Sequence, residues 1–142
     1  MVDSAGTNGY HLGSSPDGRA IAAAAKRRYD LNGHRARKIE PTDFTDFDRV
    51  LAMDNTNLAY LQNKCPPALR SKLGLLMDFA PAASYREVPD PYCGGHEGFE
   101  LVLDLVEEGA EGLLDQLRQE LGHWHAGWRT TVLAWLQCVR GF

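Results

Sequence analysis

Short apolar runs alternate with helix-period segments along this chain. Residues 49–53 (RVLAM) form an apolar run of the length and character of a buried parallel strand. Asp54 follows this run, at the end of the strand where ligand sites gather, and is predicted to be the N-cap of the next helix. Leucines at positions 69, 73, 75 and 76 predict a short helix that passes into a second buried strand ending near residue 77. The alternation predicts an α/β fold, a doubly wound parallel sheet with helices on both faces.

Two longer helices are predicted on either side of these strands. Ser15, Pro16 and Asp17 stand in the order of an N-cap, a first-turn proline and an acidic residue, which predicts a helix over residues 16–29. Apolar positions recur with helical period between Phe99 and Leu117, and the acidic residues of that segment lie mostly opposite them. This second helix is expected to cover one face of the sheet.

The last segment carries a separate stripe. Apolar residues recur at steps of 3 and 4 and place all three tryptophans on one face, at positions 121, 124, 128, 132, 135, 139 and 142. Residues 119–142 are therefore predicted to be a helical tail, which packs on this protein or on another copy of it. Binding to a membrane surface is disfavoured because the stripe has few cations beside it.

Composition narrows the protein class. A chain of 142 residues with 44% hydrophobic content is long enough for one domain with a core. The net charge of −4 and the scattered basic residues argue against nucleic acid as a partner. Three cysteines, an odd number in no metal-ligand spacing, predict reduced thiols and therefore a cytoplasmic location. Neither a metal nor a cofactor is expected. His123 and His125 have no third ligand near them in sequence.

The segment 87–92 (EVPDPY) presents a carboxylic acid, Asp90, between two prolines, and this makes a stiff loop. Together with the segments VDSAGT, SPDGR, DFTDFD, MDNTN and FELVLDLVEE, it resembles the low-molecular-weight protein-tyrosine phosphatase family. The resemblance extends to about Arg118, so residues 1–118 are expected to form a domain of this family. By the same resemblance, residues 2–4 belong to the second strand of the family's parallel sheet.

The resemblance implies roles for several side chains. Asp90 matches the general acid that protonates the departing phenolate and later accepts a proton from water. Tyr92 and Tyr10 match aromatic walls of the substrate pocket, although Tyr10 is equally interpreted as a half-buried loop aromatic. His34 and Asp17 match residues that support the site, but His34 in a structural role and Asp17 as a helix cap are the simpler interpretations.

One element of the family pattern does not occur in this chain. The family's nucleophile loop, Cys, five residues, Arg and then Ser or Thr, follows the first strand. Here Ser71 and Phe99 lie six positions after Cys65 and Cys93. In the nearest imitation, which starts at Cys65, the arginine comes one residue early, and two prolines there remove the amides that a phosphate cradle needs. The first strand, the phosphate loop and the first helix of the family are therefore expected to be absent. Because the missing strand is central in the family's sheet, either the remaining strands close up or another segment fills its place, and residues 130–139 are the candidate in this chain.

Two functional hypotheses follow. The first is a tyrosine phosphatase that hydrolyses phosphotyrosine proteins or small aryl phosphates through a cysteinyl-phosphate, from a sequence that begins at an internal Met. The second is a non-catalytic relative or a fragment that binds partners through the pocket or the tail. On either hypothesis this chain alone is expected to be inactive, and self-association through the tail is a further expectation.

Overall fold

In the computed structural model, residues 1–93, 95–121 and 130–132 are described. The strands and α-helices, in chain order, are β1 (Val2–Asp3), α1 (Gly18–Lys26), α2 (Asp43–Asp46), β2 (Arg49–Ala52), α3 (Asn55–Lys64), β3 (Leu73–Leu75), α4 (Gly95–Leu121) and β4 (Thr130–Val132). Three 3₁₀ turns, Pro67–Lys72, Leu76–Phe79 and Pro91–Cys93, lie between these elements.

The described strands form one sheet in the order β1-β4-β2-β3, and every pair in it is parallel. Val50 pairs with Leu73 and Leu51 with Gly74, so β2 and β3 run side by side in parallel register. The residues of β2 from Val50 to Ala52 are buried, whereas those of β3 are partly buried. The predicted α/β class with a parallel sheet is confirmed. Because the strands are parallel, their carboxyl ends meet at one edge, where ligand sites of such sheets gather.

Alternation along β2 divides the core between the two faces of the sheet. Leu51 and Met53, the residue directly after β2, pack in a cluster with residues of α1 and α4. Val50 and Ala52 pack in a second cluster with residues of α2 and α3. Period-two alternation in a strand with helices on both sides accounts for the continuous apolar run seen in the sequence.

Helix α4 packs unusually close to the turn Leu76–Phe79. A Cβ added to Gly112 would stand 1.8 Å from the carbonyl oxygen of Phe79, and one added to Gly109 would stand 2.8 Å from Leu76 Cγ. Glycine at these two positions is therefore what lets the helix backbone approach the turn. At 27 residues α4 is long. Even so, none of the helices in the described part of the chain is both long and apolar enough to cross a membrane.

The C-terminal segment corrects one prediction. Thr130–Val132 form a strand, where a helix was predicted, and this strand lies between β1 and β2. Thr131 pairs with Asp3 on one side and with Val50 on the other. Hydrogen bonding to the backbone edges of both β1 and β2 outweighs the local helical period here. The β-branched residues at positions 130–132 also favour a strand. The remainder of the predicted tail helix, residues 122–129 and 133–142, lies outside the described residues.

Candidate active site

The loop that carries Asp90 is anchored to the carboxyl end of β2. The Val88 N–H donates to the carbonyl oxygen of Met53 at 2.8 Å. The Glu87 carboxylate accepts a bond from the Asn55 N–H at 3.1 Å and another from the Asn55 side-chain amide. Prolines stiffen the loop from within, and these bonds fix its place at the edge of the sheet.

Asp54 follows β2 directly and caps α3. Its Oδ1 accepts a hydrogen bond from the Asn57 N–H at 2.7 Å. This bond satisfies one of the free amides at the start of the helix, as expected from the sequence. Capping therefore occupies one oxygen of a carboxylate that also faces the ligand edge of the sheet.

The carboxyl group of Asp90 is exposed and oriented by its own turn. Asp90 Oδ1 accepts a hydrogen bond from the Tyr92 N–H at 2.9 Å. Pro91, the first residue of the 3₁₀ turn Pro91–Cys93, is fully buried and holds the base of this turn. An aspartate in this setting has a defined direction without being removed from solvent.

Asp90 lines an open cleft of about 480 Å³. The lining residues are Asp54, Ser84, Tyr85, Arg86, Glu87, Val88, Pro89 and Asp90. Three carboxylates and one guanidinium thus face this space. A phosphate dianion would meet net repulsion from these four side chains, so further cations or amide donors are needed to hold one here.

Tyr92 contacts Arg19 at the start of α1. The Arg19 guanidinium carbon lies 5.2 Å from the centre of the Tyr92 ring and 4.9 Å from that of Phe99. Asp17 caps α1 and pairs with the same guanidinium at 3.0 Å, and its hydrogen bond raises the pKa of Arg19. The structure therefore brings three of the predicted site residues together, Asp17, Tyr92 and Asp90.

The other two predicted site residues, Tyr10 and His34, lie in a pair of bonded loops. The Tyr10 side chain is 88% exposed and therefore is not half-buried. His34 is also exposed. Backbone bonds between Ser14 and Ala36, at 2.9 Å, and between Ala36 and Gly13, at 2.7 Å, join their loops. Any role for either residue in substrate binding stays a prediction.

Arg37, three residues after His34, has a structural position. It pairs with the buried Asp43 of α2 at 2.9 Å and with Asp3 of β1 at 3.0 Å. The Asp43 hydrogen bond raises the pKa of Arg37. Arg37 therefore joins β1 to α2.

Cys65 is unsuited to act as a nucleophile. It is 3% exposed, lies at the end of α3, and its thiol donates to the Pro66 carbonyl oxygen. Burial raises the pKa of this thiol, whereas attack on phosphorus requires a thiolate. The segment that follows Cys65 forms the 3₁₀ turn Pro67–Lys72 and not a phosphate-binding loop, in agreement with the interpretation of the sequence.

Sequence reasoning missed Arg19, although a signal for it was present. A cation in the first turn of a helix opposes the positive end of the helix dipole, so its presence requires a local explanation. The explanation is the pairing with Asp17 together with the two aromatic rings. Glu87 was also missed, because its partner Asn55 is 32 positions away in sequence.

Comparison with known proteins connects this geometry to one family. The family model described as low molecular weight phosphotyrosine protein phosphatase matches residues 1–123. A putative low molecular weight protein-tyrosine-phosphatase of Synechocystis is 44% identical over 122 residues, which cover 85% of this chain and 77% of the relative. A Streptomyces coelicolor low molecular weight protein-tyrosine-phosphatase is 38% identical and covers 84% of this chain and 74% of its own.

Solved structures agree with the sequence comparisons. A protein tyrosine phosphatase from Entamoeba histolytica superposes with a TM-score of 0.81 at 36% identity, covering 85% of this chain and 77% of its own. YfkJ from Bacillus subtilis superposes with a TM-score of 0.77 at 32% identity, covering 83% and 73%. The likeness therefore extends over most of the chain, both in sequence and in fold.

Proposed function

Because the chain belongs to the family of low molecular weight phosphotyrosine protein phosphatases, we propose that Asp90 is the general acid of an aryl phosphate monoesterase site. The observation that carries this proposal is the position of Asp90. Its carboxyl group is exposed, is held by the Tyr92 amide at 2.9 Å, and lines a cleft at the carboxyl edge of the parallel sheet. The substrate class is phosphotyrosine in proteins or small aryl phosphates.

The chemistry requires an acid in this place. A phenolate is the conjugate base of an acid of pKa about 10 and departs poorly unless it is protonated as its bond to phosphorus breaks. A positioned general acid contributes roughly 10²–10⁴-fold to such a step. Asp90 would supply that proton and would later take one from the water that hydrolyses a cysteinyl-phosphate.

The nucleophile and the phosphate cradle are the other half of the mechanism. No cysteine in the 142 residues is followed by an arginine six positions later, and Cys65 is a buried thiol. The cleft also carries three carboxylates against Arg86 alone, which disfavours a bound phosphate. We therefore propose that this chain does not turn over aryl phosphates unless a Cys-five-residue-Arg segment is supplied to it.

The sheet indicates where such a segment would act. In the family pattern the nucleophile loop follows a strand, and β4 here occupies a central place between β1 and β2. The carboxyl end of that place opens on the same edge as Met53 and Asp54. A nucleophile loop following a strand in this position would face the cleft that contains Asp90.

A fusion tests the role of Asp90. The segment that this chain lacks, a strand, the loop of Cys, five residues, Arg and Ser, and the helix that follows the loop, is joined ahead of Val2, and hydrolysis of phenyl phosphate is measured. The added strand is expected to take the place of β4 between β1 and β2. Turnover is expected, and Asp90→Asn is expected to lower kcat by about 10²–10⁴-fold. The loss should shrink with a leaving group of lower pKa, because that group needs less help from an acid. The exposed carboxylate of Glu108 provides a matched control, Glu108→Gln. Equal rates for Asp90→Asn and this control would contradict the proposal.

A second candidate function is binding without turnover. Arg86 lines the cleft beside Tyr85, whose side chain is 44% exposed, and both could contact a partner. The excess of carboxylates favours a neutral or basic partner over a phosphorylated one. The chain is titrated with a tyrosine peptide and with its phosphotyrosine form, and the shifts of the backbone amides of residues 84–88 and 90 are followed. Binding of the unphosphorylated peptide at least as tight as that of the phosphorylated one is expected, and tighter binding of the phosphorylated peptide would contradict the charge argument.

A further inference from the structure

Arg19 holds a fixed geometry at the start of α1. Asp17 Oδ1 accepts from both the Arg19 N–H at 2.7 Å and the Arg19 Nε at 3.1 Å. Arg19 Nη2 donates to Asp17 Oδ2 at 3.0 Å. One edge of the guanidinium, formed by Nε and Nη2, is thus held bidentately by one carboxylate, which defines the plane that the guanidinium presents to its surroundings.

That plane joins three parts of the molecule. The Arg19 guanidinium lies 4.9 Å from the ring of Phe99, a fully buried residue of α4. It lies 5.2 Å from the ring of Tyr92, which is 44% exposed in the acid turn. Both distances are within the range at which a cation is attracted to a ring face. Helix α1, helix α4 and the turn after Asp90 therefore meet at one side chain.

The contact with Tyr92 continues to the carboxyl group. The Tyr92 backbone N–H donates to Asp90 Oδ1 at 2.9 Å, so the placement of Tyr92 determines where this donor points. On its other side the turn lies directly against α4, because a Cβ on Gly98 would come within 3.0 Å of the Pro91 carbonyl oxygen. The turn has little room to move toward α4, and the attraction between the Arg19 guanidinium and the Tyr92 ring opposes its movement away from α1.

We propose that Arg19 is a positioning residue for Asp90, acting through the Tyr92 ring and the Tyr92 amide. The effect of Arg19 on catalysis rests on the proposed function of Asp90 as general acid. The effect of Arg19 on the position of the turn does not depend on that function. It also accounts for a cation in a helix turn where the dipole disfavours one. Without the guanidinium the Tyr92 ring loses its partner, and the amide that orients Asp90 becomes free to turn with it.

Two substitutions separate charge from shape. Arg19→Lys keeps the cation but replaces the planar fork with a point charge, which cannot both pair bidentately with Asp17 and stack on a ring. Arg19→Gln removes the charge. If the planar guanidinium is what matters, both variants should release the turn, and Arg19→Lys should not rescue it. The exposed Arg35 provides a control, Arg35→Gln.

Hydrogen exchange on the unmodified chain gives the deciding measurement. In Arg19→Lys and Arg19→Gln, the Tyr92 amide is expected to exchange about tenfold faster than in the parent chain and in Arg35→Gln. The amides of Ala23 and Ala24, buried in the same helix, should exchange at unchanged rates. Unchanged exchange at Tyr92 would overturn the proposal, as would equal acceleration at all three amides, since that would mark a general loss of stability.

A leaving-group comparison in the fusion tests the catalytic part. Arg19→Gln is expected to lower kcat for phenyl phosphate by about tenfold with KM unchanged, and to affect a substrate with a more acidic leaving group much less. An equal loss on both substrates would overturn a role exerted through the general acid. Should the fusion show no turnover at all, the proposed function fails, and the exchange rates at Tyr92 still decide whether Arg19 holds the turn.

Discussion

The backbone N–H of Val88 donates to the carbonyl oxygen of Met53 at 2.8 Å. This bond attaches the loop that carries Asp90 to the residue directly after β2, at the carboxyl end of that strand. Val88 is itself buried in the core cluster that contains Met53. The acid loop is therefore attached by a backbone bond and by apolar packing at the same point. This attachment places Asp90, two residues further on, at the carboxyl edge of the strands.

Glu87 is expected to contribute to stability by bracing the start of α3. Its carboxylate accepts from both the Asn55 N–H and the Asn55 side chain, next to the positive end of a helix. Glu87→Ala should lower the free energy of unfolding by about 1–2 kcal/mol, in keeping with the loss of hydrogen bonds to a charged group. Urea denaturation measures this, with the solvent-facing Glu108→Ala as control. Equal stability of the two variants would show that the hydrogen bonds between Glu87 and Asn55 do not contribute to the free energy of unfolding.

Gly112 is expected to tolerate no side chain. A Cβ there would stand 1.8 Å from the Phe79 carbonyl oxygen, so Gly112→Ala must push α4 away from the turn Leu76–Phe79. Overpacking of this kind typically costs about 1–3 kcal/mol, and a clash with backbone should reach the upper end. Gly18→Ala is the matched control, since nothing lies within 4 Å of its added Cβ. Thermal unfolding of the two variants at the same temperature would contradict the close packing.

Strand β4 is expected to close the sheet. Thr131 pairs with Asp3 and Val50, so Thr131→Pro removes a backbone donor inside a central strand. The free energy of unfolding should fall by at least about 1–3 kcal/mol, because the carbonyl that pairs with the Thr131 N–H loses its donor. Thr131→Val keeps the donor and a β-branched side chain and should be close to neutral. If proline were tolerated as well as valine, the central position of this strand would be refuted.

Much of the architecture was predictable because its signals are local. The apolar run of β2, the capping by Asp54 and the helical period of α4 each depend on residues within one element. The place of β4 could be expected only from the missing central strand, which left residues 130–139 as the candidate to fill it. Its local pattern did not indicate a strand, because its partners, Asp3 and Val50, are far from it in sequence and the tryptophan spacing indicated a helix. The stiff loop around Asp90 was predictable from its flanking prolines, whereas the contact between Arg19 and Tyr92 exists only after α1 and the turn Pro91–Cys93 have packed together.

Helices α1 and α4 are joined by an ion cluster that should respond to acid. Arg27 pairs with Glu100 at 2.9 Å, with Asp104 at 2.7 Å and with Glu107 at 2.9 Å. The Arg27 hydrogen bond lowers the pKa of Glu100 below its ordinary value of 4.5. A depressed pKa contributes stability that is present above the unfolded-state pKa and is lost as pH falls through the folded-state pKa.

The difference in unfolding free energy between the parent chain and Glu100→Gln is therefore expected to be present near neutral pH and to shrink below pH 4.5, the ordinary pKa of this group. Urea denaturation across this range measures it, and added salt should reduce it as well, because the cluster is open to solvent. If the difference in unfolding free energy stayed constant as the pH fell well below 4.5, the ion pair between Glu100 and Arg27 would not be its cause.

The central claim is that this chain keeps the acid of a tyrosine phosphatase site without the sulfur that attacks phosphorus. The purified 142-residue chain, incubated with phenyl phosphate, tests it directly. The expected result is phosphate release at the background rate, equal in the parent chain and in Asp90→Asn. Turnover by the parent chain that disappears in Asp90→Asn would contradict the account, since it would require a nucleophile among residues where none has been assigned.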